Sequence, residues 1–217
     1  MSLLPGILVA ANEIDHQFKK LQSIADTCYY EQDKHRVVFE TKKETCAYLR
    51  LPINFFWDTT HNSTAHTTHK NYLIIIIESG SAALAYCEND QIIEHKMVKA
   101  YMVRKKQGKS QIKHLKTKGK SKAGSRVRLA NTEHFFEEIQ EMITVWLNYL
   151  DIETIALSCS KTLSPYLFTD SFLLDRKDKR ILKIPRHIPE VNFENLLEVH
   201  QFLIAGELRF TELFTGR

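Results

Sequence analysis

The stretch Asn71-Tyr72-Leu73-Ile74-Ile75-Ile76-Ile77-Glu78-Ser79-Gly80-Ser81-Ala82-Ala83-Leu84-Ala85-Tyr86-Cys87 decides the fold. Tyr72–Ile77 is β-branched and too short to cross a membrane, so it reads as a strand. Its unbroken apolar run, Leu73 to Ile77, predicts a central strand covered on both faces. Glu78-Ser79-Gly80-Ser81 supplies a turn, and Ala82–Cys87 returns as a second strand. Glu88-Asn89-Asp90 is another turn signal, followed by a long strand from Gln91 to about Val103. The pattern predicts an antiparallel meander with short connections.

Downstream of the meander the periodicity stops. Arg104–Arg128 holds Gly108, Gly119, Gly124, Ser110, Ser121 and Ser125 but no apolar series, and it reads as a long mobile loop extending to about residue 130. Loops of this length within compact domains usually serve function. A helix follows, capped by Asn131 or Thr132, with the stripe Phe135, Ile139, Met142, Ile143, Trp146 and Leu150. Thr154–Ser158 reads as a buried strand and Arg180–Ile184 as another. Ser164-Pro165 opens a stretch that fits a short helix. Asn192–Ala205 reads as a helix, with Phe193, Leu196, Leu197, Val199, Phe202 and Leu203 apolar and Gly206 as its end; the tail adds a further helical turn.

Upstream, Ile14, Phe18, Leu21 and Ile24 mark one helix face over residues 12–25, with Asn12 as its cap. Residues 35–41 and 46–53 read as strands. Residues 58–70, rich in Thr and His, read as an exposed loop. Meander, loop, helix, strand, further element, strand and helix predict an α/β fold: a mixed sheet, ribonuclease-H-like, with helices packed on it. We expect a single domain over 1–217, in which residues 1–70 either extend the sheet or form a partner surface.

Bulk properties narrow the function. In 217 residues the hydrophobic fraction is 43%, with only 7 Gly and 5 Pro, which excludes a disordered or low-complexity chain. No apolar run reaches membrane-spanning length and no signal peptide is evident, so a cytoplasmic protein without membrane partners is expected. Cys28, Cys46, Cys87 and Cys159 form no CxxC pair and read as free thiols. Charge is unevenly placed. Lys96–Arg128 carries 13 Lys or Arg and no Asp or Glu, although the chain as a whole is only +4. One strongly cationic segment on an acidic body is the footprint expected of a polyphosphate partner.

Glutamine does not titrate usefully, but it can orient water or donate to an oxyanion, so Gly108-Lys109-Ser110-Gln111 gains interest from its cationic setting. Glycine beside it lets backbone approach a bulky substrate. His61, His66 and His69, with Asp58 near, are ordinary for a polar loop, and no metal is expected. Glu78, Glu94 and Glu153 are scattered, and the central strand lacks the inner carboxylate a two-metal nuclease needs. Phe135/Ile139/Trp146 and Phe193/Leu197/Phe202 read as core. Tyr29-Tyr30 and Phe55-Phe56-Trp57 fit a satellite core better than a base-stacking platform. His114 and His134 flank the basic segment and read as surface histidines.

Gly108, Ser110 and Gln111 after a meander, then Ala123-Gly124-Ser125 with Arg126 and Arg128 leading into a helix, resemble the Vms-like release factors. These are peptidyl-tRNA hydrolases of ribosome quality control, whose catalytic domain is similar to the middle domain of the eukaryotic and archaeal class I release factor. The resemblance covers about residues 70–205 in element order and about 104–138 in motif, and it is nearest a stand-alone bacterial version. It implies codon-independent hydrolysis of the peptidyl-tRNA ester on ribosomes or large subunits, without a cofactor, by a monomer that binds no DNA. Gln111, Ser110 and Gly108 are the implied catalytic residues. Arg104, Lys105, Lys106, Lys109, Lys113, Lys116, Lys118, Lys120, Lys122, Arg126 and Arg128 are the implied contacts to rRNA and tRNA. The termination factors carry Gly-Gly-Gln, and Lys109 stands where they have a glycine. The alternative is an RNA-binding ribosome-associated protein without catalysis.

Overall fold

A computed structural model describes residues 3–67, 70–100 and 120–212, with side chains in the last segment from residue 132 onward. The elements in chain order are β1 (Ile7–Val9), α1 (Ile14–Gln22), β2 (Thr27–Glu31), β3 (Arg36–Thr41), β4 (Glu44–Arg50), β5 (Phe55–Asp58) and β6 (Ser63–His66). Then come β7 (Asn71–Glu78), β8 (Ser81–Glu88), β9 (Gln91–Lys99), α2 (Lys120–Tyr149), β10 (Thr154–Cys159) and α3 (Ser164–Leu167). The chain closes with β11 (Ile181–Lys183), α4 (Phe193–Ile204) and β12 (Gly206–Phe210). No described helix is long and apolar enough to cross a membrane.

β7 lies at the centre of a five-stranded sheet of order β11-β10-β7-β8-β9. β8 runs antiparallel to both neighbours, and β10 pairs parallel with β7 and β11. The turns follow local chemistry. Gly80 takes φ 82°, and Asn89 and Asp90 both take positive φ, as a two-residue hairpin requires. Alternation along β7 splits its side chains between two layers. Leu73, Ile75 and Ile77 pack with Phe135, Ile139, Ile143 and Trp146 of α2. Tyr72, Ile74 and Ile76 pack with Leu196, Val199, Phe202 and Leu203 of α4. On the α4 side β8 offers only Ala83, Ala85 and Cys87, which lets the helix approach closely. Each fully buried isoleucine contributes roughly 1.5–3 kcal/mol of transfer free energy.

The remaining strands do not extend this sheet. They build a second one, of order β1-β12-β4-β3-β2, antiparallel throughout. Ile14, Phe18 and Leu21 of α1 cover it over Val37, Phe39, Ala47 and Leu49. Its β12 follows α4 directly, so the C-terminal part of the chain completes an N-terminal sheet. Gly206 is required there for closeness, since a Cβ would stand 2.3 Å from Ile14 Cδ1 and 3.1 Å from the Arg50 carbonyl.

Arg50 ties the two sheets together. Its guanidinium is buried, donates to the carbonyls of Leu51, Phe202 and Ala205 at 3.2, 2.8 and 2.9 Å, and lies 3.9 Å over the Phe202 ring. It thereby caps the C-terminal carbonyls of α4, which have no intrahelical partners.

Several sequence expectations are corrected. α1 starts at Ile14, and Asn12 lies in a 3₁₀ turn (Ala11–Glu13) without acting as cap; Ile24 is exposed. Thr27–Glu31 is an unforeseen strand. Residues 58–70 are not simply loop, because β5 and β6 form a hairpin through Ser63–His66. Helix α2 begins at Lys120, so Lys120, Lys122, Arg126 and Arg128 stand on helical backbone and Asn131 and Thr132 are interior to it. Lys, Arg, Ala and Leu are good helix formers, and one glycine among them is tolerated. On α4, Phe193 and Leu197 are exposed and Leu196, Val199, Phe202 and Leu203 form the core stripe. Gly206 opens a strand rather than ending a helix in the left-handed region. The expected last helical turn is instead β12, because its backbone groups pair with β1 and β4.

Two outcomes are expected. Arg50→Ala should lower unfolding stability by about 3 kcal/mol or more in urea titrations, since it strands the α4 carbonyls beside a cavity. A loss below about 1 kcal/mol would contradict the linking role. Gly124→Ala should raise stability by up to about 1 kcal/mol if residue 124 is helix interior; a destabilised variant would argue against helix at this point.

Candidate functional site

Gly108, Ser110 and Gln111, together with Arg104, Lys105, Lys106, Lys109, Lys113, Lys116 and Lys118, lie outside the described residues, as do His69 and His114. The structure describes the two attachment points of that segment. β9 ends at Lys99, and the Ala100 amide donates to the Gly80 carbonyl at 3.0 Å. The exit is thereby fixed beside the β7–β8 turn. Because β7, β9 and β10 run parallel to one another, their C-terminal ends share this rim: Ile77 pairs with Cys159, and Ser81 with Lys99.

The return point is the start of α2. Buried contacts of this helix begin at Phe135 among the described side chains. At 1.5 Å rise per residue, Lys120 stands about 22 Å further along the axis. Lys120, Lys122, Arg126 and Arg128 share that N-terminal half of the helix.

The rim itself offers little conventional chemistry. Burial pushes the Cys159 thiol up to about 11, with Glu78 adding to the rise and Arg176 opposing it, so a thiolate nucleophile is disfavoured. Ser160 Oγ is occupied by Thr162 at 2.9 Å and the Leu163 amide at 3.3 Å. His134 is exposed beside Glu137. The candidate carboxylates are dispersed: Glu78 is at the rim, Glu94 accepts from Trp146 Nε1 at 2.9 Å, and Glu153 stands at the opposite end of the sheet near Asn71. His61 pairs with Asp58 at 2.6 Å while His66 takes a bond from Asn54 at 3.0 Å. Among the described residues no group of three or more His, Cys, Asp or Glu could hold a metal ion. The four cysteines are free.

Two features escaped the sequence reading. One is a cavity of about 560 Å³ at the N-terminal ends of β10 and β11, lined among others by Tyr30, His35, Phe56, Lys70, Lys179 and Arg180. It joins segments 150 residues apart, so no local pattern announces it. The other is the run of cations from Arg176 to Lys183, which a count of charges by segment would have found.

His35 on the cavity wall is held in one tautomer. Its Nε2–H donates to the Pro52 carbonyl at 2.9 Å, which leaves Nδ1 to accept from the Tyr30 hydroxyl at 2.5 Å. Burial pushes this imidazole down to about 4, and burial also lowers His200, which sits against the Tyr72 hydroxyl. An unfolded histidine takes up a proton below about 6.5 while folded His35 does not until about 4. Its contribution is therefore complete above about pH 6.5 and is lost as pH falls towards 4, by up to about 3 kcal/mol. The urea midpoint should drop between about pH 7.5 and 4.5, and less steeply in His35→Gln. A midpoint unchanged across that window would contradict a buried neutral His35.

A family model described as Bacteroidetes VLRF1 release factor matches residues 72–209, from β7 into β12 and more than half of the chain. The tRNA endonuclease VMS1 of Saccharomyces cerevisiae (strain ATCC 204508 / S288c) is 34% identical over 95 residues, which are 43% of this chain and 15% of that protein. The chain thus spans a small part of this relative. Among solved structures, the Vms1 mitochondrial localization core superposes with a TM-score of 0.46 at 14% identity, covering 88% of this chain and 80% of that one. By its match from Tyr72 to Arg209, the chain belongs to the Bacteroidetes VLRF1 release factor family.

Proposed function

We propose that this protein is a peptidyl-tRNA hydrolase of the cytoplasm that frees nascent chains from stalled ribosomes or large subunits without reading a codon. The observation that carries the reading is placement. The acid-free stretch Lys96–Arg128, with 13 cations, runs from β9 into α2 within a chain of a release factor family, and the connection inside it carries seven of them together with Gly108-Lys109-Ser110-Gln111. A ribonuclease-H-like sheet is part of the proposal; the strand order, with β8 alone antiparallel, supports it.

In the proposed mechanism the cations Arg104, Lys105, Lys106, Lys109, Lys113, Lys116, Lys118, Lys120, Lys122, Arg126 and Arg128 meet rRNA and tRNA phosphates. Such contacts orient without specifying sequence. Gln111 orders a water against the ester carbonyl carbon, and a donor at the same place steadies the oxyanion. Attack forms the new C–O bond, and the bond to the ribose 3′ oxygen breaks. The water's protons go to that oxygen and to solvent, leaving a peptide carboxylate and a tRNA hydroxyl. Gly108 and Ser110 let the backbone come close, and Lys109 takes the position where the termination factors have glycine.

A second reading comes from the yeast relative, whose name is that of a tRNA endonuclease: cleavage of the tRNA itself. The absence of a metal-binding cluster among the described residues gives it no support from the rim. A third is anchoring without catalysis.

Release of peptide from stalled nascent-chain complexes on isolated large subunits separates these. Gln111→Ala should reduce release about 100-fold or more, the scale of a lost oxyanion-type donor, while subunit binding stays within about twofold. Lys105, Lys106 and Lys109 changed together to Ala should weaken binding. Full release by Gln111→Ala would overturn the assignment of that residue, and binding without release by the wild type would leave the anchor.

A further inference from the structure

The basic segment between β9 and α2 is not the chain's whole cationic surface. β11 is an edge strand of the central sheet, and the approach to it and the strand itself carry Arg176, Lys177, Lys179 and Lys183, all exposed. Among the described residues none of these four has a carboxylate within ion-pair distance. The nearby Asp178 is taken by Arg180 at 2.8 Å, and Arg186 further along is taken by Glu198 at 3.1 Å. Lysine on an edge strand commonly serves to prevent pairing with another chain. One lysine on a three-residue strand meets that need, so the density here calls for another explanation.

Position supplies it. Lys183 pairs with Leu157, two residues before β10 ends at the rim, and Arg176 acts on the thiol of Cys159 at that same end. Lys179 is at the other end of the sheet, on the wall of the 560 Å³ cavity. β10 covers that height in six residues, roughly 17 Å at 3.3 Å per residue. Phe56, on the wall of the same cavity, is 49% exposed, and Tyr30, also on that wall, stacks on Trp57 at 5.9 Å and 6° between planes. Unpaired cations near an exposed aromatic ring are how proteins hold single-stranded nucleic acid: charges track the backbone, and a ring takes a base.

We propose that Arg176, Lys177, Lys179 and Lys183 form a track for a single-stranded RNA segment that ends in the cavity, where a base stacks on Phe56. This rests on the reading of the protein as an RNA-engaged release factor and deepens it with a second contact on the opposite flank of the sheet from α2's partner strand β9. The track holds RNA but is remote from the ester.

The test uses the full-length protein and a short fluorescein-labelled single-stranded RNA, with anisotropy read over a series of salt concentrations. Changing the four track cations together to Gln should raise Kd at least tenfold. It should also flatten the log Kd against log salt slope by up to about 3, at about 0.7 per phosphate contact. Phe56→Ala should raise Kd roughly tenfold and leave the slope unchanged, as loss of one stacked base does. Both variants alter exposed side chains, and thermal unfolding checks that they fold. Unchanged affinity in the four-cation variant would overturn the track, and an unchanged Kd in Phe56→Ala would overturn the base site. Peptide release at saturating protein is read in parallel: it should persist in both variants, so a failed track and a failed hydrolase reading give different results.

Discussion

The architecture hangs on one constraint: six consecutive residues, Tyr72 to Ile77, are buried with both faces of β7 covered. A strand of that kind cannot face water on either side, so it obliges the chain to supply an apolar layer twice. α2 provides one with Phe135, Ile139, Ile143 and Trp146, and α4 provides the other with Leu196, Val199, Phe202 and Leu203. The obligation to bring a helix back over the first face accounts for α2 from Phe135 onward. The segment before it is tethered at the C-terminal rim by the Gly80–Ala100 hydrogen bond, and it joins α2 at Lys120, about 22 Å along the helix from Phe135.

That tethering gives the functional reading its physical form. The cations are concentrated on a connection between rigid elements, while the sheet beneath carries apolar contacts and satisfied polar groups. Cys159 is held as a thiol, Ser160 is engaged locally, and the carboxylates are apart. The proposed function therefore assigns the chemistry to a polar residue on the connection, held in place by electrostatic attraction to RNA. The cations along β11 extend the same logic to a second edge of the same sheet.

The central sheet was legible because its signals are local. Four successive isoleucines, a glycine turn and the Asn89-Asp90 hairpin leave little alternative. So was α2's stripe, since a helix packed on one side writes its period into the sequence. The second sheet was much less legible. β12 is a continuation of Gly206-Glu207-Leu208-Arg209-Phe210 after a helix, and only its partners β1 and β4, some 200 and 160 residues away, make it a strand. Arg50's role was hidden for the same reason, because its acceptors at Phe202 and Ala205 lie more than 150 residues downstream. The start of α2 was misplaced because Gly and Ser among the lysines suggest a loop, whereas Lys, Ala and Arg favour helix. Within the candidate site, residue types and charge were readable; the cavity, assembled from distant segments, was not.

The central claim is that water breaks the ester and leaves the tRNA chain whole. Release carried out in ¹⁸O-labelled water, with mass spectrometry of both products, tests it directly. The expected result is one ¹⁸O in the new peptide carboxylate and an unlabelled tRNA with its terminal nucleoside intact. A peptide still esterified to a nucleotide, with the label in a phosphate, would contradict the account and place the cut in the tRNA backbone.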